Sequence, residues 1–187
     1  MPNVKNIVKT MKKQKIKQEI ISQFENPAVN IESTIKFINK MEKLLTQEQC
    51  LSVMEEQGCS KTETITKPFW DFNQKHADKS LEEKIKLLSA SGINHTIKYK
   101  INPDRTLSMF WGFKDNNGKY RCVCRKHKLI PDKTKIPLTY CGCCAGHVRY
   151  THQIALGVSL HLKKIVSAPI NSAGKNQCEF LFEVIEI

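Results

Sequence analysis

The hydrophobic pattern of the chain changes its period near residue 94, and this change restricts the folds that the chain can adopt. Before that point apolar residues recur at helical spacing, as in the stripe that runs from Ile31 to Leu45. After it, residues 95–101 alternate between polar and apolar side chains, the pattern of a half-buried strand. Helices followed by strands are typical of the α+β class. The sequence therefore predicts an α+β fold, with N-terminal helices packed on an antiparallel sheet.

Capping signals locate several helices in the first half. Residues 3–24 have the apolar spacing of a first helix, and Asn30 is a suitable N-cap for the second. Thr46-Gln-Glu-Gln49 and Ser80-Leu-Glu-Glu83 have the form of capping boxes, in which two side chains satisfy backbone amides at the helix start. Residues 63–77 are expected to be helical as well. The first half is thus predicted to consist of helices.

The second half is predicted to contain a three-strand meander, a helix and a final hairpin, in that order. The meander covers residues 95–101, 106–113 and 120–124, the helix covers 144–157, and the hairpin covers 158–166 and 177–187. On this basis residues 1–93 are a helical segment and residues 94–187 an α+β region. We expect the two to form one domain together, since the chain has 187 residues.

The eight cysteines are unevenly distributed, and five of them lie between residues 122 and 144. The sequence shows neither the run of about 20 apolar residues that crosses a bilayer nor a secretory signal, so we expect a soluble, cytoplasmic protein. In a reducing compartment cysteines act as core residues, metal ligands or nucleophiles more often than as disulfides. Crowding of this kind favours metal ligands.

Two Cys-x-Cys pairs carry the metal hypothesis. In an extended strand residues i and i+2 point to the same face, so Cys122 and Cys124 would present two sulfurs side by side. Cys141 and Cys143 offer a second pair, with Gly142 easing a tight chelating loop. Four thiolates match a closed tetrahedral zinc site, which has no position left for water and is structural. Zinc is therefore the predicted cofactor.

Nearby residues are alternative ligands. Cys144 and His147 stand three apart at the start of the predicted helix, and His127 follows Cys124 by three residues. The candidate metal ligands are accordingly Cys122, Cys124, Cys141, Cys143, Cys144 and His147, with His127 as a further substitute. The remaining cysteines, which are isolated in the sequence, fit buried thiols that behave as small apolar residues: Cys50, Cys59 and Cys178.

The stretch Cys141-Gly-Cys-Cys-Ala-Gly-His147, followed by Leu156-Gly157 and by Ser172-Ala-Gly-Lys-Asn-Gln-Cys-Glu-Phe180, resembles the C-terminal part of 4-vinyl-reductase-like domains. It is also similar to a bacterial and archaeal group with paired Cys-x-Cys motifs. The similarity covers about residues 95–187. The wider superfamily includes haem–nitric-oxide sensing domains and vesicle-tethering subunits, and a thiazoline-ring hydrolase family has a similar ending. The resemblance implies a ligand-binding domain, often with an internal apolar cavity, for which Trp111 and Tyr150 are candidate pocket residues.

Three classes of function follow from these observations. The favoured one is a small metal-binding protein with a ligand-binding or sensory domain that takes a small molecule. The second is a hydrolase, with Cys144 at a helix N-terminus as nucleophile and His147 as its base, or with an open metal site.

The third class is nucleic-acid binding, suggested by the net charge of +12. It is the least favoured, because the chain lacks the spacing of a recognition helix and any run of mixed basic and aromatic residues. The basic helix predicted at 3–24 is a candidate surface for a homodimer.

Overall fold

Helices make up the first half of the chain in the computed structural model, which describes residues 3–24, 30–59, 61–94, 96–124 and 134–186. The helices are α1 (Val4–Lys13), α2 (Gln18–Ile21), α3 (Ile31–Leu44), α4 (Gln47–Glu55), α5 (Glu63–Lys75) and α6 (Leu81–Ala90). The predicted capping boxes at Thr46 and Ser80 are both formed, and Asn30 caps α3 in the same way. The helical character of the first half is thereby confirmed.

The helix predicted over 3–24 is interrupted after Lys13. Lys15 has a positive φ of 57°, and its amide bonds the carbonyl of Lys12 while the Ile16 amide bonds that of Met11. This pair of bonds is the Schellman ending of a helix, with a lysine in the left-handed position that glycine more often takes. Apolar periodicity continues across the break because Ile16 and the following α2 stay packed on the same core.

Strands β1 (Ile97–Ile101), β2 (Leu107–Trp111), β5 (Val158–Ser167) and β6 (Cys178–Glu186) form an antiparallel sheet in the order β1-β2-β6-β5. The fold class is therefore α+β, as predicted. The third predicted strand differs, because β4 (Tyr120–Arg121) is short and pairs with β3 (Phe113–Lys114) in a separate ribbon. The place beside β2 is taken by β6, whose Phe180 and Phe182 are fully buried. The two-residue β4 offers no comparable apolar face.

Helix α7 (Gly142–Leu156) lies against the sheet and contacts α4, α5 and α6. It borders two apolar clusters. The main core contains Phe69, Leu107 and Phe180 together with residues of α7, and the N-terminal core contains Ile38 and Met54 together with residues of α1 and of the turn before α7. Each cluster takes residues from both sides of position 93, so the sheet and the helices are stabilised by the same packing.

The C-terminal end of α4 crosses the first turns of α7 at backbone distance. A Cβ atom on Gly146 would lie 2.1 Å from the Glu55 carbonyl oxygen, and one on Gly142 would lie 2.6 Å from the Met54 Cβ. A Cβ on Gly58 would in turn be 2.7 Å from the Gly146 carbonyl carbon. Gly142 and Gly146 are four residues apart and share one helix face. Their missing side chains allow α4 to approach this closely.

A buried carboxylate fixes the same crossing to the sheet. Glu55 at the end of α4 accepts the backbone amide of Leu162 in β5 at 2.6 Å, and Arg149 of α7 donates to its other oxygen at 3.3 Å. Arg149 also pairs with Glu56. Burial raises the pKa of Glu55, while the Leu162 amide and the Arg149 charge act in the opposite direction. Three elements are thus held by one charged pair.

We expect Gly146→Ala to destabilise the protein by about 3 kcal/mol, because the new methyl group must push backbone against backbone. The matched control is Gly92→Ala, where no atom lies within 4 Å of the new Cβ and only the positive φ of 73° opposes it. That control should cost about 1 kcal/mol. Urea unfolding of both variants measures the difference, and equal losses would show that the close crossing is not required.

Candidate metal centre

The first turn of α7 places two cysteines next to thiols from other parts of the chain. Cys143 is hydrogen-bonded to Cys59, which follows α4, and Cys144 is hydrogen-bonded to Cys124, which follows β4. Consecutive residues on a helix are about 100° apart, so the two sulfurs leave α7 in different directions. The structure therefore contains two adjacent thiol pairs that draw on three separate segments.

The pair Cys59 and Cys143 joins an exposed thiol to a buried one. The Cys143 sulfur also lies 3.1 Å from the carbonyl oxygen of Gln57. The hydrogen bond from Cys143, assisted by the charge of His147, lowers the pKa of the Cys59 thiol to about 5. The same hydrogen bond and burial raise the pKa of Cys143. The shared proton therefore stays on the buried sulfur, and the exposed sulfur carries the negative charge.

His147 secures the position of Cys59. Its Nδ1 donates to the carbonyl oxygen of Cys59 at 2.6 Å, and its ring stacks on Trp111 at 5.8 Å between centroids. The hydrogen bond to Cys124 and burial raise the pKa of Cys144, which opposes a thiolate there. The arrangement thus gives no support to the hydrolase hypothesis, in which Cys144 is the nucleophile and His147 its base.

The Cys141–Gly142–Cys143 stretch does not have the loop geometry on which the sequence interpretation depended. Cys141 ends a 3₁₀ turn (Leu138–Cys141), and α7 begins at the next residue. Residues two apart on a helix lie on nearly opposite sides, so Cys141 belongs to the main core and Cys143 to the N-terminal core. The expectation that these two sulfurs point the same way was wrong for that reason.

The other predicted pair also lies outside a strand. Cys122 and Cys124 follow β4 in irregular chain, and the Cys124 amide donates to the Cys122 sulfur. Burial raises the pKa of Cys122 to about 11 and that of Cys178 to about 12. Both thiols, with Cys141, are close enough to interact electrostatically. They form an inner group of protonated sulfurs next to the two thiol pairs.

Among the described residues, no group of three or more His, Cys, Asp or Glu side chains is already arranged around one metal position. The ligand set from the sequence, which is Cys122, Cys124, Cys141, Cys143, Cys144 and His147, stays a prediction. His127 lies outside the described residues. The structure brings Cys124, Cys143, Cys144 and His147 to the start of α7 and directs Cys141 into the main core.

Sequence reasoning missed the participation of Cys59. It grouped this residue with isolated buried thiols, whereas the structure exposes it and bonds it to Cys143. The available signal was its position directly after Gly58, the residue at which a helix was expected to end. Cys178 was likewise classed as isolated, and it is indeed buried, but it lies within electrostatic reach of Cys122 and Cys124.

A cleft of about 780 Å³ lies beside Cys59, between α1 and residues 56–61. Its lining includes Lys9, Lys13 and Lys61, and includes neither of the predicted pocket residues, Trp111 and Tyr150. Tyr150 is nevertheless adjacent, since the Lys61 ammonium lies 4.8 Å from the centre of its ring. The assignment of Trp111 and Tyr150 to a ligand pocket stays a prediction.

In the part of the chain that the structure describes, no helix has the length and apolar character needed to span a bilayer.

Comparison with known proteins assigns no family. No family model matches the sequence, and no curated protein matches it. One solved structure that matches is an H-NOX protein from S. oneidensis in the Fe(II)NO ligation state, with a TM-score of 0.32 and 10% sequence identity. The match covers 98% of this chain and 99% of that one. A TM-score this low carries no argument about function, and the resemblance to 4-vinyl-reductase-like domains stays a prediction.

Proposed function

We propose that the protein is a small metal-binding domain of the cytoplasm, in which thiolates at the start of α7 hold one zinc ion. The observation that carries the proposal is the meeting of two thiol pairs at one helical turn, Cys143 with Cys59 and Cys144 with Cys124. Thiolates are the ligands that zinc prefers in closed structural sites. All eight cysteines are free, as a reducing compartment requires.

The distances within each pair suit zinc. Tetrahedral coordination with Zn–S bonds of about 2.3 Å places neighbouring sulfurs about 3.8 Å apart, which is also the separation of hydrogen-bonded thiols. Each pair would therefore keep its spacing when zinc replaces the thiol protons. The movement that zinc must cause is the approach of one pair to the other across the first turn of α7.

A buried hydroxyl supports the same proposal. Tyr140 is 3% exposed, and its hydroxyl has no hydrogen-bond partner among the described residues. It lies close enough to Cys124, Cys143 and Cys144 for charge on them to add to burial in raising its pKa. A neutral thiol is a weak acceptor, whereas a metal-bound thiolate accepts hydrogen bonds well. Zinc binding would thus supply the partner that this hydroxyl lacks.

The proposed role of the metal is structural. Four thiolates fill the coordination sphere of zinc and leave no position for water. The metal would fasten the segment after β4 to the start of α7, where the main sheet and the N-terminal core meet. The energy of binding would then add directly to the free energy of unfolding.

We expect the untagged protein to contain about one zinc per chain by elemental analysis, since four thiolates satisfy one tetrahedral ion. Cys124→Ala and Cys144→Ala should each lose most of the zinc and melt at a lower temperature. The control is Cys50→Ala, because Cys50 is a buried thiol whose contact is the Met41 carbonyl at 3.6 Å. Metal-free wild-type protein with unchanged thermal stability would contradict the proposal, as would full zinc content in both variants.

Binding of a small anion is a second candidate function, favoured by the charge of the cleft beside Cys59. Lys9, Lys13 and Lys61 line it, and the one lining carboxylate, that of Glu56, is paired with Arg149. The cleft therefore presents uncompensated positive charge in a volume that suits a small molecule. This is the place in the structure that best fits the expected ligand-binding domain.

Inorganic phosphate and succinate are suitable probes of the cleft in calorimetric titrations. The double variant Lys9→Gln and Lys13→Gln should weaken binding about tenfold or more, and added salt should weaken it further, because the attraction is electrostatic. Lys164→Gln is the matched control, since Lys164 is an exposed lysine on β5. Absence of binding, or an equal effect of the control, would exclude this function.

A further inference from the structure

The thiol of Cys59 is the one member of the two pairs that comes from the N-terminal half. We infer that Cys59 is a ligand of the proposed metal centre, together with Cys124, Cys143 and Cys144. One metal ion would then join the end of α4, the start of α7 and the segment after β4. The inference rests on the proposed metal-binding function and adds to it a ligand that the local cysteine motifs do not contain.

The backbone brings Cys59 to this position. Gly58 and Gly146 are in such close contact that neither has room for a side chain, so the chain at residue 58 lies directly on α7. The next residue, Cys59, is then held by its carbonyl oxygen to the Nδ1 of His147. Its sulfur meets that of Cys143. Two independent contacts therefore fix the residue on either side of its own side chain.

The other nearby candidates are less suited to be the fourth ligand. Cys141 is packed in the main core, away from Cys143. The imidazole of His147 is already engaged through Nδ1 with the Cys59 carbonyl and is stacked on Trp111. Cys122 accepts the amide of Cys124 and groups with the inner sulfurs rather than with the two pairs.

Exposure of Cys59 gives the centre a route for metal. Cys143 is 4% exposed, so an ion cannot reach it directly from solvent. Cys59 is exposed and lines the wide cleft beside α1. An ion would meet this thiolate first and then pass to the buried sulfur next to it. An access route of this kind is required of any metal site within a folded chain.

The experiment is a competition titration of the full chain with zinc against a chromogenic chelator. Cys59→Ala should lower the zinc affinity more than about 100-fold, because even the loss of a residue that only supports a ligand costs 10- to 100-fold. Cys122→Ala is the matched control and should bind like the wild type. Since Cys59 is exposed, its replacement should leave the circular dichroism spectrum unchanged in the presence of zinc.

Cobalt substitution gives a second readout that does not depend on stability. The wild type should show the sulfur-to-cobalt charge-transfer band of a four-thiolate site, and Cys59→Ala should show a weaker one. If the wild type binds no zinc, the proposed function fails and the inference with it. If the wild type binds zinc and Cys59→Ala binds equally well, the inference alone is overturned. A loss in His127→Ala but not in Cys59→Ala would then identify the replacing ligand.

Discussion

The arrangement of the site depends on the close contact between the end of α4 and the first turns of α7. Gly142 and Gly146 present a flat strip of backbone, and α4 lies against it with the Glu55 carbonyl where a side chain would otherwise be. Any larger residue would hold the helices apart and carry Cys59 away from Cys143. The buried Glu55–Arg149 pair reinforces the crossing from the side of the sheet. Packing, electrostatics and the position of the thiols are therefore consequences of one helix crossing.

Local signals in the sequence were sufficient for most of the helices and for the fold class. Capping boxes act over four residues, and those at Thr46 and Ser80 are formed as predicted. The alternation of residues 95–101 likewise corresponds to β1. What local patterns could not show is which strands become neighbours. The placement of β6 beside β2 is decided by burial of Phe180 and Phe182, a tertiary effect that spacing along the chain does not encode.

The same limit explains what the sequence could show of the candidate site. The crowded cysteines drew attention to the start of α7, and Cys124, Cys143 and Cys144 lie there. The Cys-x-Cys spacing misled because it implies a shared direction only in extended chain, and a helix begins at Gly142. Cys59 stands 84 residues before Cys143 in the sequence. Only the contact of two helices makes them neighbours, so no motif could have paired them.

Zinc K-edge X-ray absorption on the purified full chain tests the central claim most directly, because it reports the atoms bound to the metal. The account predicts a first shell of four sulfurs at about 2.3 Å, falling to three sulfurs in any zinc that Cys59→Ala retains. A first shell with two or more nitrogen or oxygen atoms at about 2.0 Å would contradict it. So would an unchanged four-sulfur shell in Cys59→Ala.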